Sequence, residues 1–335
     1  MADNRRSTPR SGSNQTRSRA STAKRSRTTA DTADTADKAD TGTTRIPVRK
    51  TYKLYVGGQF PRSESGRSYI VRAPDGSPLA NAVRSSRKDV RDAVRTARGA
   101  AAGWAGKTAM SRGQVLYRVA ELMEGRRAQF IDEVAAAEGL APANAERIVD
   151  RTIDRWVWYA GWADKITQIL GTVNPVGAPY FNFTIPEATG VVGIVAPESS
   201  SLLGLISRIA PAVVGGNSVV VLASESRPLP AVTLGEVLAT SDVPPGVINI
   251  LTGWRSELVP ILAAHMDVNA LDIWGVPREM RQQVELTAME SVKRVAMPPR
   301  GGEERFDWLD DRVAQRPEWI ARYLEMKTVW HPIGV

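Results

Sequence analysis

The chain has 335 residues, 42% of them apolar, enough to bury a sizeable core. It contains no cysteine and only two histidines, His265 and His331, which excludes disulfides, thiolate metal sites and a cysteine nucleophile and argues against a His-based metal centre. The net charge of +8 is concentrated at one end: residues 1–50 hold twelve Lys/Arg against five Asp, so the other 285 are nearly neutral.

Residues 1–45 are Ser, Thr, Ala, Arg and Asp with almost no large apolar side chain. No burial there offsets the entropy of ordering, so the composition predicts a disordered tail over 1–50. Its basic block, NRRSTPRSGSNQTRSRASTAKRSR, suits a nucleic-acid backbone or another polyanion. With no aromatic residue interleaved for stacking, it serves equally well as a tether. The repeat TADTADTADKADTG reads as a solvated spacer. No apolar run approaches the ~20 residues of a bilayer span, and the N-terminus lacks a signal-peptide core, so the expectation is a cytoplasmic protein with no membrane contact.

From Tyr52 the pattern changes. YKLYVGGQF alternates apolar and polar residues about a Gly-Gly turn and predicts a β-hairpin arm. In 87–104, Val90, Ala93, Val94, Ala97 and Ala101 form one helical stripe, and the next helical stretch repeats it with Leu116, Val119, Ala120 and Met123. A third helix is predicted over 144–170, with Trp156, Trp158, Tyr159 and Trp162 as packing residues. Residues 171–189 alternate Val, Tyr, Phe and Ile and predict a short pair of strands. Three strand–helix units follow: VVGIVAP to LLGLISRIAPAVVGG, NSVVVLAS to LPAVTLGEVLATSD, and GVINILTG to ELVPILAAHM, with ALDIWG as a further strand. Near-continuous apolar strands joined by helices predict an α/β fold with a doubly wound, Rossmann-like parallel sheet.

The segments GVVGIVAP, IAPAVVGGNSVVV, VPPGVINILTG and LAAHMDVNALDIWG resemble, in order and spacing, the nicotinamide-binding domain of the aldehyde dehydrogenase superfamily. The likeness runs from LYVGGQF to about Val295. It implies a βαβ nucleotide-binding scaffold over 51–170 and 190–299. In intact members it implies NAD(P)-dependent aldehyde oxidation through a cysteine thiohemiacetal. The ending YLEMKTVWHPIGV resembles the family's C-terminal oligomerisation strand, so 171–189 and 323–335 are expected to form a small β oligomerisation layer. Residues 300–322 then form a short bypass in place of the catalytic domain.

The family's chemical residues do not carry over. The oxyanion-donating Trp-Asn-Phe-Pro is replaced by Glu198-Ser199-Ser200-Ser201, and the ribose-holding Lys-Pro-Ala-Glu by Leu222-Ala223-Ser224-Glu225. The pyrophosphate turn becomes Ile273-Trp274-Gly275-Val276 with Met280 at the second Gly position, and the general base aligns with Pro298. The expectation is therefore no catalytic residue, no metal and no cofactor, with Pro197, Glu225 and Gly275 as vestigial contacts for NAD or NADP. The resemblance implies a non-catalytic subunit of a homo-oligomer, or of a hetero-oligomer with an active aldehyde dehydrogenase. Two alternatives stay open: an oxidoreductase component active only within a hetero-oligomer, and a nucleic-acid or polyanion binder acting through the tail. A serine hydrolase would need His265 or His331 beside the 199–201 serines. Glu257, Asp267, Asp272 and Asp310 read as caps or solvated acids. Phe306, Leu309, Val313, Trp319, Ile320 and Tyr323 either cover the surface the missing lobe exposes or dock on another subunit.

Overall fold

The structure, a computed structural model, describes residues 48–334; the expected disordered tail and its basic block lie outside the described residues up to Pro47. The chain enters at β1 (Thr51–Tyr52), which pairs in parallel with β3 (Pro78–Val83), and β2 (Ser68–Arg72) pairs antiparallel on the other edge of β3. In YKLYVGGQF, Val56 and Gln59 exchange backbone hydrogen bonds across Gly57-Gly58. The predicted arm continues outward through Leu54 N–H, which donates to Pro61 O (3.2 Å), while Tyr55 bridges antiparallel to Ile250 on its other side.

Helix α1 (Arg87–Ala105) opens on a capping box in which the Ser86 hydroxyl accepts from Asp89 N–H and the Asp89 carboxylate accepts from Ser86 N–H. Its predicted apolar stripe is buried. Then come α2 (Ala109–Glu124), α3 (Arg127–Glu138) and α4 (Pro142–Ala160). The helix predicted over 144–170 is interrupted: α4 ends at Gly161, and α5 (Ile166–Leu170) is a separate short piece. Trp156 and Tyr159 are buried as expected, while Trp158 and Trp162 lie half-buried over them.

After β4 (Thr172–Asn174) and β5 (Tyr180–Ala188), the chain builds its main layer from β6 (Val191–Val195), α6 (Leu203–Val214), β7 (Ser218–Leu222), α7 (Leu229–Thr240), β8 (Ile248–Leu251), α8 (Arg255–Ala264), β9 (Ala270–Asp272), α9 (Arg278–Met289) and β10 (Arg294–Ala296). The sheet is wholly parallel in the order β10-β9-β6-β7-β8. Because strand side chains alternate, Val219 and Val221 join a core with α2, α4, α6 and α7, whereas Val220 and Leu222 join one with α1, α8 and α9. The fold is the expected doubly wound α/β layer, and its winding reverses between β6 and β9.

The last segment holds α10 (Asp311–Ala314), α11 (Pro317–Ala321) and β11 (Leu324–Pro332). Strand β11 pairs antiparallel with β5 from Leu324↔Ala188 to Pro332↔Tyr180, and β4 pairs with the other edge of β5, giving a separate three-stranded layer. Of the two outcomes open for 306–323, the chain covers its own surface: Trp308 and Trp319 pack with Leu203 and Trp274, with Phe306 and Leu309 against them. Val313 alone of the six remains exposed.

Two buried arginines fasten this segment. The Arg155 guanidinium donates to Ser207 Oγ (2.5 Å), Trp308 O (3.1 Å), Ala314 O (3.3 Å) and Asp311 Oδ1 (3.3 Å). Arg208 on α6 donates to Asp272 Oδ2 (2.7 Å) and the Tyr323 hydroxyl (2.5 Å), and lies 4.6 Å over Trp274 and 5.0 Å over Trp319. Asp272 is thus no solvated acid: it is fully buried and also accepts from Tyr323. Removing one partner of such a pair leaves the other charge uncompensated. Asp272→Asn is expected to lower unfolding free energy by roughly 3–5 kcal/mol, read from urea midpoints; a change under about 1 kcal/mol would contradict this role.

Candidate functional site

In a doubly wound sheet, ligands bind beyond the carboxyl ends of the strands where the winding reverses. Here that place lies between the loops after β6 and β9, so Pro197, the 198–201 loop and Trp274–Val276 frame it. Pro197 is buried against Gly204 at the head of α6. Gly275 N–H donates to Val195 O (2.9 Å), and a Cβ at Gly275 would collide with Ala196 O, so only glycine lets the two loops meet. Trp274 is buried beneath Phe306 (ring centroids 4.8 Å apart, 89° between planes) and Trp308 (5.0 Å). The bypass therefore roofs the reversal point with aromatic side chains.

The Glu198 carboxylate turns inward across β7. It accepts from Ser224 Oγ (2.9 Å), Glu225 N–H (3.0 Å), Ser226 N–H (2.9 Å) and the Ser226 hydroxyl, and pairs with Arg255 Nη2 (2.7 Å). Burial pushes this carboxyl up, but Arg255 and the serine donors outweigh it and hold Glu198 below the usual carboxylate range. Arg255 also donates to Ala196 O (2.5 Å). Glu225 follows β7, one strand away from Pro197 and two from Gly275, and its carboxylate accepts from Arg255 N–H (2.7 Å), capping the start of α8.

A second carboxylate enters from the bypass. Glu303 Oε2 accepts from Glu198 N–H (2.7 Å), Ser199 N–H (3.3 Å) and Ser199 Oγ (3.3 Å). Burial raises the Glu303 carboxyl above its ordinary range, with the nearby Glu198 charge adding to the rise against the N–H donors. Each serine of the loop has a structural partner: Ser199 with Glu303 and Trp308 Nε1, Ser200 with Gly204 N–H, and Ser201 with Glu138. His265 caps the end of α8 and accepts from Asp267 N–H, and His331 is exposed on β11, so neither pairs with a serine. Among the described residues no group of His, Asp and Glu has a metal-binding arrangement, and no helix is long and apolar enough to cross a membrane.

Beyond Glu303 opens a cavity of about 830 Å³, walled by the first turn of α9 and residues 297–305. Arg278, Arg281, Arg300 and Arg305 line it, as does Pro298. Sequence reasoning missed Arg208, Arg255 and Glu303. A signal existed for Arg208, the single charge in LLGLISRIAPAVV, since a cation in a fully buried helix must find an anion. For Glu303 there was none.

The family model for the aldehyde dehydrogenase family matches residues 60–304. The chain belongs to the aldehyde dehydrogenase family. Human retinal dehydrogenase 2 is 32% identical over 261 residues, 76% of this chain and 49% of that protein. Cytosolic aldehyde dehydrogenase 1 of Elephantulus edwardii is 30% identical over 259 residues, 76% of this chain and 51% of its own length. Among solved structures, HpcC from Thermus thermophilus superposes with a TM-score of 0.69 at 28% identity, covering 73% of this chain and 47% of that one. The chain thus spans about half the length of the curated relatives it matches.

One expectation is corrected by these relatives. An aldehyde dehydrogenase from Bacillus cereus, 25% identical with a TM-score of 0.68 over 73% of this chain and 50% of its own, is an NAD+ complex. The expectation of no cofactor rested on lost motif side chains. Much of phosphate recognition at a strand's carboxyl end is made by backbone N–H groups, which substitution leaves in place except at a proline such as Pro277 at the head of α9. In the arrangement described, however, those groups hold the chain's own anions: Glu198 takes Glu225 and Ser226 N–H, and Glu303 takes Glu198 and Ser199 N–H. The residues present fit a dinucleotide only if these carboxylates move.

Glu198→Gln tests the inner network. Because the folded Glu198 carboxyl titrates below its ordinary 4.5, its contribution is complete above that pH and lost as pH falls through the folded value. The variant is expected to cost about 1–3 kcal/mol at pH 7, a deficit that shrinks toward pH 3 in urea titrations. A deficit independent of pH would contradict the ionic account.

Proposed function

We propose that this chain is a non-catalytic member of its family, acting as a structural or regulatory subunit in a homo-oligomer or in a hetero-oligomer with an active aldehyde dehydrogenase. The observation that carries the reading is the β4–β5–β11 layer. Its strands expose Val173, Tyr180, Phe181, Met326 and Trp330, so apolar side chains stand uncovered beside the long outer strand β11. An extended strand with free backbone groups and apolar neighbours is a template for pairing with another chain. The absence of cysteine from all 335 residues and the proline at position 298 support the lack of aldehyde oxidation.

A second reading, a nucleotide-holding component that works only inside a hetero-oligomer, is favoured by the cavity beside Glu303 and by the NAD+-bound relative. Its family chemistry would be hydride acceptance by the nicotinamide. Within this chain, Arg278 and Arg281 line the cavity on the α9 side and Arg300 and Arg305 on the loop side.

Two measurements test these readings. Purified chain with NAD+ or NADP+ and a panel of aldehydes should yield no reduced nicotinamide above the buffer rate, and sustained turnover would refute the first reading. In light scattering after size exclusion, the chain should run as an oligomer that Phe181→Asp combined with Trp330→Asp dissociates into a folded monomer. A wild-type monomer, both alone and with an active family member, would count against assembly.

A further inference from the structure

Strand β11 is an outer strand of its layer, nine residues long and paired with β5 alone. Residues of an antiparallel strand point their N–H and C=O groups alternately to one neighbour and the other. Tyr323 O accepts from Thr189 N–H (3.3 Å) and Ile333 N–H donates to Pro179 O (2.9 Å), so the odd-numbered residues between them face β5. Leu324, Met326, Thr328 and Trp330 therefore turn their backbone groups outward, and among the described residues no other strand meets them. Natural sheets guard such an edge with charges, bulges or brevity. Here the pairing with β5 runs without a bulge, Lys327 is drawn back to Glu187 on β5 (2.9 Å) and Glu325 to Arg294 on β10 (2.7 Å), so the edge stands unguarded.

We infer that β11 pairs antiparallel with β11 of a second copy of this chain about a two-fold axis through Thr328, joining two three-stranded layers into one continuous sheet. A two-fold normal to the sheet keeps like faces together, so a residue meets only residues of its own parity. With Thr328 opposite itself, Met326 faces Trp330 of the second copy, and Met326, Thr328 and Trp330 each donate and accept one backbone bond across the seam. The Met326–Trp330 contact, sulfur against indole, is made twice and covers two side chains that are 47% and 58% exposed in the single chain. Tyr180 already holds the indole edge-on (ring centroids 5.9 Å apart, 77° between planes). Glu325 comes opposite His331, acceptor against donor, and Pro332, which lacks an N–H, falls at the end of the ladder. The neighbouring registers fit worse. An axis at residue 327 sets Lys327 against Lys327, one at 329 sets Lys327 against His331 and brings Pro332 opposite Met326, and one at 326 leaves Trp330 beyond the end of the partner strand.

The inference deepens the assembly reading and rests on it, naming the partner and the register. The chain has no cysteine, so introduced cysteines report the register without background. Opposed residues of an antiparallel pair lie about 5 Å apart at Cα, within disulfide reach, whereas residues displaced by two positions lie beyond it. Sedimentation velocity of the full chain should show a dimer whose population rises with concentration. Under mild oxidation Thr328→Cys should give a covalent dimer, and Lys327→Cys and Val329→Cys should do so only when combined in one chain. Thr328→Pro removes an outward N–H and leaves the bonds to β5 intact, so it should weaken the dimer about tenfold or more with an unchanged thermal melt of the monomer. A covalent dimer through Lys327→Cys or Val329→Cys alone, a dimer that Thr328→Cys does not link, or a Thr328→Pro dimer as tight as wild type overturns the register. A wild-type chain that stays monomeric at every concentration overturns the self-pairing. Co-migration of that monomer with an active family member would leave the hetero-oligomer reading standing, so the two fail separately.

Discussion

A single buried cation holds together the parts that distinguish this chain. Arg208 sits on a helix whose every residue is buried, so its guanidinium has no access to water. Taking such an ion out of solvent costs several kcal/mol unless its geometry is fully satisfied. Asp272 at the end of β9, the Tyr323 hydroxyl ahead of β11, and the faces of Trp274 and Trp319 supply that satisfaction. The burial that would depress its pKa is outweighed by Asp272, so Arg208 stays charged. One group thereby ties the main sheet, the roof over its reversal point and the start of the second layer.

Once the roof is fixed there, the sheet edge is satisfied from within. The loop after β6 reaches forward to β7 through Glu198, and the bypass reaches back through Glu303. Both carboxylates occupy backbone N–H groups of the kind that bind anions at the carboxyl edge of α/β sheets. Glu198 is locked by Arg255 and two serines, whereas Glu303 is held only by its three donors and sits near a like charge. Glu198 is thereby the more firmly held of the two carboxylates.

Much of the frame was legible in the sequence because apolar strands buried on both faces leave a recognisable run, as VVGIV and SVVVL do. The ending resembles a strand that joins a partner subunit's sheet, whereas here it pairs with β5 of the same chain. The arm at YKLYVGGQF is present, but Tyr55 also makes backbone bonds with Ile250, a partner far along the chain that no local pattern reveals. The third helix was overextended for a local reason, the Gly161 C-cap inside an otherwise helical pattern. At the site, Glu198 and Glu225 offered nothing to show which donors they would meet, since those donors lie in loops after other strands. The cofactor expectation, drawn from lost motif side chains and from Pro277, is overturned by the NAD+-bound relative, in a layer where backbone supplies much of the recognition.

The packing of residues 306–323 over the sheet edge is the feature on which the rest depends. Native-state hydrogen exchange of the full chain measures this directly, because amides that open only with global unfolding exchange at the global rate. Among the amides bonded within 306–323, those of the buried residues Ala314, Trp319 and Tyr323 should exchange nearly as slowly as those of β6. Exchange of these amides within seconds at neutral pH, while β6 stays protected, would show that the segment stands away from the sheet and would contradict the account.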